Sequence, residues 1–296
     1  MSKSALRKVI YSISKTIDGA NLSYQSAHDY KQILRASAKM LNDHGFKLHS
    51  LNQLKQKHLN LLVKKWQDER LSIGSIKNRL SAFRLAARLV KKPDVVKSNK
   101  EYGIGARSYI PTVSKAIYDC DFSKIKDPYI RMSLELQKAF GLRREESLKI
   151  KPHQADCGAM LKLQASWTKG KVERIIPINT KEQRDCLEKA KLLAGKGSSL
   201  IPKEKNYKQQ RVAYDNAVRL AGFKNMHGLR HAYAQTRYEE LTNQLTKGHG
   251  WKSPIMGGPS RKELNKFEKH IDYQARMIVS LELGHSRISV VKNYCA

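Results

Sequence analysis

The stretch Leu283-Gly284-His285-Ser286-Arg287-Ile288-Ser289-Val290-Val291-Lys292-Asn293-Tyr294 sets an imidazole nine residues ahead of a tyrosine. Upstream, His227-Gly228-Leu229-Arg230 sets an imidazole and a guanidinium three residues apart, which on a helix aims both side chains at one spot. Farther back, Gly141-Leu142-Arg143-Arg144-Glu145-Glu146 contributes another arginine with an acid three residues on. The chain order is therefore Arg, His-x-x-Arg, His, Tyr. Two arginines can hold the non-bridging oxygens of a phosphodiester bidentately while staying ionised, and a tyrosine can attack its phosphorus.

The charge balance fits such a substrate. The 296 residues carry 57 Lys+Arg against 26 Asp+Glu, a formal net charge of +31, in a chain of ordinary hydrophobic content (40%). Residues 1–100 hold 21 basic and 6 acidic side chains (+15), and residues 101–296 hold 36 and 20 (+16). Both halves are basic, so a basic tail on a neutral enzyme is excluded and a nucleic acid along the whole molecule is implied. The four cysteines, Cys120, Cys157, Cys186 and Cys295, are scattered without a Cys-x-x-Cys pair, which argues against zinc ligation or a disulfide framework. Residues 1–20 lack the uninterrupted apolar core of a signal peptide, and no stretch reaches the length of a membrane span.

From Ser23 to about Val90 apolar residues return at three- and four-residue spacing, the mark of packed helices. Asp43-His44-Gly45 ends one helix, Leu51 to Arg70 carries the next, and a third is expected to start at Ser75. In that third helix Ile76, Leu80, Phe83, Ala87 and Val90 form a buried stripe, with Lys77, Arg84, Arg88 and Lys91 largely off it. These cations, with few acids nearby, are candidate contacts to DNA phosphates. Lys91 to Arg107, with Pro93, Gly103 and Gly105, breaks the periodicity. The expected organisation is a helical domain over 1–95, a linker over 96–107 and a second domain over 108–296.

In the second domain, Tyr109 to Lys149 reads as two helices. Met160 to Trp167 and Val172 to Ile178 then read as the strands of a hairpin about Thr168-Lys169-Gly170-Lys171. Residues 180–222 read as two helices about a Gly-Lys-Gly-Ser loop that lacks P-loop spacing, and Met226 to Tyr238 as a helix. The fold class expected is mainly α with a small β-hairpin (α+β).

This series of residues resembles the tyrosine recombinase, or phage integrase, family, with sharp motifs over 105–296 and softer ones over 20–95. The resemblance implies a helical core-binding domain and a catalytic domain. It assigns Arg143, His227, Arg230 and His285 to the phosphate, with both histidines donating hydrogen bonds, and Tyr294 as the nucleophile of a 3′-phosphotyrosyl link. Glu146 orients the arginines. Lys169 in the hairpin turn matches the general acid for the 5′-oxygen, and Lys171 is the second choice for that role and a further DNA contact. No metal, ATP or other cofactor is implied. The partners implied are duplex DNA attachment sites, four protomers on paired sites and accessory DNA-bending proteins, with no membrane. The setting implied is the bacterial cytoplasm and its nucleoid, and the biology that of a prophage or mobile element. A type IB topoisomerase shares this chemistry, and a DNA-binding regulator without catalysis is the rival from another class. The filled catalytic positions and small size weigh against both.

The sequence departs from the family in two places. Fifty-four residues separate Arg230 from His285, more than compact members have. The excess, about 239–273, contains a Gly/Pro-rich loop and a basic helical stretch from Ser260 to His270, read either as an inert surface loop or as an added contact with DNA or another protomer. Only Cys295 and Ala296 follow Tyr294, which puts exchange of a C-terminal tail between subunits in doubt. A nucleophile so near the chain end is expected to be mobile without DNA.

Overall fold

A computed structural model describes residues 3–296, which form two compact units that meet in sequence between Ser108 and Tyr109. The fold is mainly α with one two-stranded antiparallel sheet. Among the described residues no helix is long and apolar enough to cross a membrane.

The first unit packs α1 (Lys3–Asp18), α2 (Tyr24–Asp43), α3 (Gln56–Asp68) and α4 (Ile73–Leu89). Helix α1, not expected from the sequence, buries Ala5, Val9, Ile13 and Ile17. Their four-residue spacing was the available signal. A 3₁₀ turn over Leu51–Gln53 precedes α3. Helix α4 begins two residues earlier than expected because the Ser72 side chain, not Ser75, accepts the free backbone N–H, that of Ser75. Its stripe Ile76, Leu80, Phe83 and Ala87 is buried with Trp66 of α3 in an apolar core. Residues expected as linker join this core through Val96 and Ile104.

The second unit opens with a segment, 109–127, in which only a short 3₁₀ turn (Phe122–Lys124) replaces the helix expected there. Asp127 then caps α5 (Pro128–Phe140) by accepting from the backbone N–H groups of Tyr129 and Ile130, and proline at the first helical position fixes the start. Helix α5 stops at Gly141 (φ +60°), where an added Cβ would lie 2.5 Å from the Tyr233 ring. The chain restarts as α6 (Arg144–Lys149), followed by α7 (Pro152–Ala155).

The hairpin pairs β1 (Met160–Leu163) with β2 (Arg174–Pro177), Leu161 opposite Ile176. Both strands are shorter than expected. Trp167 turns into the core, and the Thr168 hydroxyl contacts the carbonyls of Ala165 and Val172, so residues 164–173 become a wide tip. Helices α8 (Lys181–Ala194), α9 (Tyr207–Leu220), α10 (Gly228–Leu245), α11 (Lys266–Glu282) and α12 (Lys292–Cys295) complete the unit. The excess length between Arg230 and His285 is spent mainly on extending α10 and on a loop over 246–265. Helix α11 starts at Lys266 rather than Ser260 because Asn265 and Glu268 form a capping box there.

Candidate active site

Arg230, on the first turn of α10, is the centre of the site and is only 1% exposed. Its Nη1 donates to the Gly141 carbonyl at 2.5 Å and its Nη2 to the Leu283 carbonyl. These carbonyls lie where α5 and α11 end, the first on the left-handed Gly141 and the second just before the left-handed Gly284. Helix C-termini carry partial negative charge, so two of them facing one guanidinium stabilise its charge out of water. Burial lowers the Arg230 pKa to about 10, which still leaves it cationic at neutral pH.

Glu146, fully buried on α6, ties the arginines together. Its carboxylate accepts from Arg143 Nη1 at 2.8 Å and from the Arg143 backbone N–H at 2.7 Å. It also accepts from Arg174 Nη1 and Nη2 at 2.8 and 2.5 Å, and lies 4.0 Å from Arg230. Burial alone would raise its pKa, but the hydrogen bonds and charge of Arg174, then the charges of Arg230 and Arg143, hold it at about 2. Three guanidiniums around one carboxylate leave a net positive cluster, which suits an anionic ligand.

Arg174 was missed in the sequence. It opens β2 on the same face as the buried Ile176, with the exposed Ile175 between them, and an arginine in register with a buried apolar residue was the available signal. Gly284 makes its place, since a Cβ there would lie 2.9 Å from Arg174 Cδ. Arg144, the competing choice to Arg143, pairs instead with Asp215 at 2.5 Å.

Tyr294 corrects an expectation. It is 5% exposed, and its hydroxyl accepts from Arg230 Nε at 3.3 Å and lies 3.2 Å from His285 Nε2. The tyrosine is packed into the site with its hydroxyl on Arg230 and His285. The reason is local: Val291 and Cys295 beside it are fully buried, and its backbone carbonyl accepts from Gln235 Nε2 at 2.7 Å.

His285 closes the group around the Tyr294 hydroxyl. Arg230 Nη2 faces the same His285 Nε2 at 3.4 Å. Arginine can only donate, so Nε2 is the acceptor, and the Tyr294 hydroxyl is free to donate to it. Burial, then the charge of Arg230, lowers the His285 pKa to about 4, so the imidazole is neutral at pH 7.

His227, just before α10, is exposed in the cleft 6.2 Å from the Tyr294 ring, and its pKa is lowered by the partial desolvation of the ring, then by Arg230, to an extent that its exposure moderates. His231, one turn on and not singled out in the sequence, is closer at 4.7 Å and is also held near 4, by burial and then by the charge of His227.

Arg143, Lys169, His227, His285 and Tyr294 line one open cleft of about 580 Å³. Lys169 sits exposed on the hairpin tip at its edge, and Lys171 is exposed on the same tip with φ +55°. Of the cations on and just after α4, Arg88 and Lys91 are exposed and Lys77 half-buried. Arg84 is drawn inward, its Nη2 donating to the Lys97 carbonyl at 3.0 Å and to Asn99 at 2.9 Å, so it secures the chain after α4 instead of offering a free charge.

With this geometry in view, two family models match the chain, the phage integrase N-terminal family over residues 3–95 and the integrase family over residues 105–236. The chain belongs to the phage integrase family. Among solved structures, the integrase is similar to the XerH site-specific recombinase in its post-cleavage complex with a palindromic difH substrate. That match has a TM-score of 0.56 and 15% identity, and covers 99% of this chain and 83% of XerH. It is also similar to the Tn1549 transposon integrase in complex with a circular intermediate DNA, with a TM-score of 0.53, 13% identity, and coverage of 96% and 95%. At these identities the likeness is one of fold. No curated protein sequence matches the chain.

Proposed function

We propose that this integrase is a site-specific recombinase that cuts and rejoins duplex DNA through a 3′-phosphotyrosyl intermediate, in the integration and excision of a mobile element. The observation that carries the reading is the Tyr294 hydroxyl, held between a guanidinium that donates to it and a neutral imidazole able to accept its proton.

The scissile phosphate enters the cleft beside Arg143 and Arg230. The two helix-end carbonyls fix the plane of the Arg230 guanidinium, and with Nη2 also facing His285 Nε2 the second Nη1 hydrogen is the one left for a non-bridging oxygen, beside those of Arg143. Tyr294 Oη attacks phosphorus as its proton passes to His285 Nε2. The bond to the 5′-oxygen breaks, and Lys169 Nζ, at the cleft edge, protonates that oxygen. Glu146 keeps Arg143 and Arg174 in place without exchanging a proton, since its carboxyl titrates far below neutrality. Rejoining is the reverse: a 5′-hydroxyl attacks the phosphotyrosine, and Tyr294 leaves with the proton that His285 returns. His227, on the same cleft, donates a further hydrogen bond to the phosphate. The wider reading is of paired attachment sites bridged by four protomers, with accessory DNA-bending proteins, in the bacterial cytoplasm.

The test is a nicked suicide duplex carrying a candidate attachment site, with wild type and Tyr294→Phe compared on a denaturing gel. A covalent protein–DNA band in the wild type alone supports the reading. A band that persists in the variant removes Tyr294 from the role.

A further inference from the structure

The loop over 246–265 has no part in the chemistry above, yet it is tied to the helix that carries Tyr294. Trp251 is anchored on α10, where its backbone N–H donates to Thr242 Oγ1 at 3.1 Å and its carbonyl accepts from the same hydroxyl at 2.9 Å. From there a chain of side-chain bonds runs across the unit. Trp251 Nε1 donates to Tyr238 Oη (2.9 Å), which donates to Asp272 Oδ1 (2.7 Å). Arg276 Nε donates to the same Oδ1 (2.6 Å), and Arg276 Nη2 donates to the carbonyl of Ala296, just beyond α12 (3.0 Å). Tyr238 and Asp272 are buried, and Arg276 lies over the Tyr238 ring at 5.3 Å. The loop reaches Asp272 a second time through Arg261, at 3.9 Å, and its 3₁₀ turn Pro254–Met256 packs directly against α12.

We propose that this loop is a brace, acting within one protomer, that sets the position of α12 and so holds the Tyr294 hydroxyl on Arg230 and His285. Trp251, Tyr238 and Arg276 are its positioning residues. The physical need is plain. Helix α12 is a single turn, too short to hold itself in water, and a nucleophile misplaced by about 1 Å can cost about a hundredfold in rate. Buried bonds in series pass a fixed geometry from a wide, well-anchored loop to that turn. The catalytic half of this inference rests on the assignment of Tyr294 as nucleophile.

Two measurements test it, with Trp251→Phe, which removes the bond to Tyr238, and Tyr238→Phe, which removes the bonds to Trp251 and Asp272, each keeping an aromatic ring. Hydrogen–deuterium exchange of the free protein reads the brace without any substrate. The peptide over 286–296 should exchange about tenfold faster in both variants, with α5 and the hairpin unchanged. Unchanged exchange there, or a uniform rise across the second unit, overturns the proposal. Covalent capture of a nicked random-sequence duplex library reads the consequence, with Tyr294→Phe alongside. Capture in the two brace variants should slow about tenfold while filter retention of the duplexes stays at the wild-type level. Capture and retention falling together would make the loop a DNA contact instead and overturns the brace. Capture that persists in Tyr294→Phe overturns the nucleophile assignment and the catalytic half of the brace. Loss of capture in Tyr294→Phe with unchanged exchange in Trp251→Phe overturns the brace alone.

Discussion

The two units handle charge in opposite ways. In the first, the interior is apolar. Among the described residues only Ser37 and His58 are buried polar groups there, and the cations lie at or near the surface. In the second, Glu146, Arg174, Arg230, Asp272, Arg276 and Glu282 are all buried. Surface charges act through water, weakly and nearly independently. Buried charges must be paired and held by several bonds at once, and removing one partner strands the other. The first unit can therefore lose a cation at little cost, whereas the second should fail as a whole when one member of its cluster is changed.

The largest expected effect lies in that cluster. Glu146→Gln leaves Arg143, Arg174 and Arg230 without their shared counter-charge and should destabilise the protein by about 3–5 kcal/mol, read from the denaturant midpoint. A loss no larger than that of a surface substitution would show that water or an anion already compensates the cluster. Next comes Arg230→Lys, which keeps a charge but loses the planar fork between the Gly141 and Leu283 carbonyls. Covalent complex formation should fall about 10²–10³-fold, measured in single-turnover capture. A near-normal rate would mean that charge alone suffices.

Acid should separate the units as well. The folded-state pKa values of His227, His231 and His285 are lowered to about 4 from an ordinary 6.5. Between those values the unfolded chain binds protons that the folded chain refuses. Their contribution is therefore complete above pH 6.5 and is lost as pH falls toward 4, at a slope of up to about 1.4 kcal/mol per pH unit for the buried His231 and less for the half-buried His285 and the exposed His227, whose charge water screens. Glu146 has the same sign at lower pH, its contribution being lost from about pH 4.5 down through 2. Unfolding of the second unit, followed from pH 8 to 4, should show this slope, and a flat profile would contradict the desolvation of these rings, that of the buried His231 above all.

The smallest effect expected is in the first unit. Arg88→Gln should lower the salt dependence of DNA binding by about one unit of slope. Arg84→Gln should leave that slope unchanged and lower stability instead, because its guanidinium is already bound to Lys97 and Asn99.

Much of the site and of the first unit is legible in the sequence. Arg143, Glu146, His227, Arg230, His285 and Tyr294 come together because short motifs fix side-chain direction locally, and the stripe of α4 follows from its period. What escapes a reading of the sequence is set by tertiary contacts. Arg174 sits on a strand of ordinary composition, and only its pairing with Glu146 across the fold gives it meaning. Proximity of Tyr294 to the chain end suggests mobility, a rule that holds when nothing packs on the end. Here Gln235, Arg276 and two buried neighbours do. The loop over 246–265 reads as an appendage because hydrogen bonds from Trp251 to Tyr238 and from Arg276 to Ala296 leave no trace in local pattern.

The most direct test of the central claim is to trap the covalent complex on a nicked duplex, digest the DNA to a short remnant and locate it by peptide mass spectrometry. The geometry around Arg230 and His285 predicts a nucleotide mass on Tyr294, linked through a 3′-phosphate. A remnant on any other residue, or a cleaved duplex with no protein adduct, would contradict it.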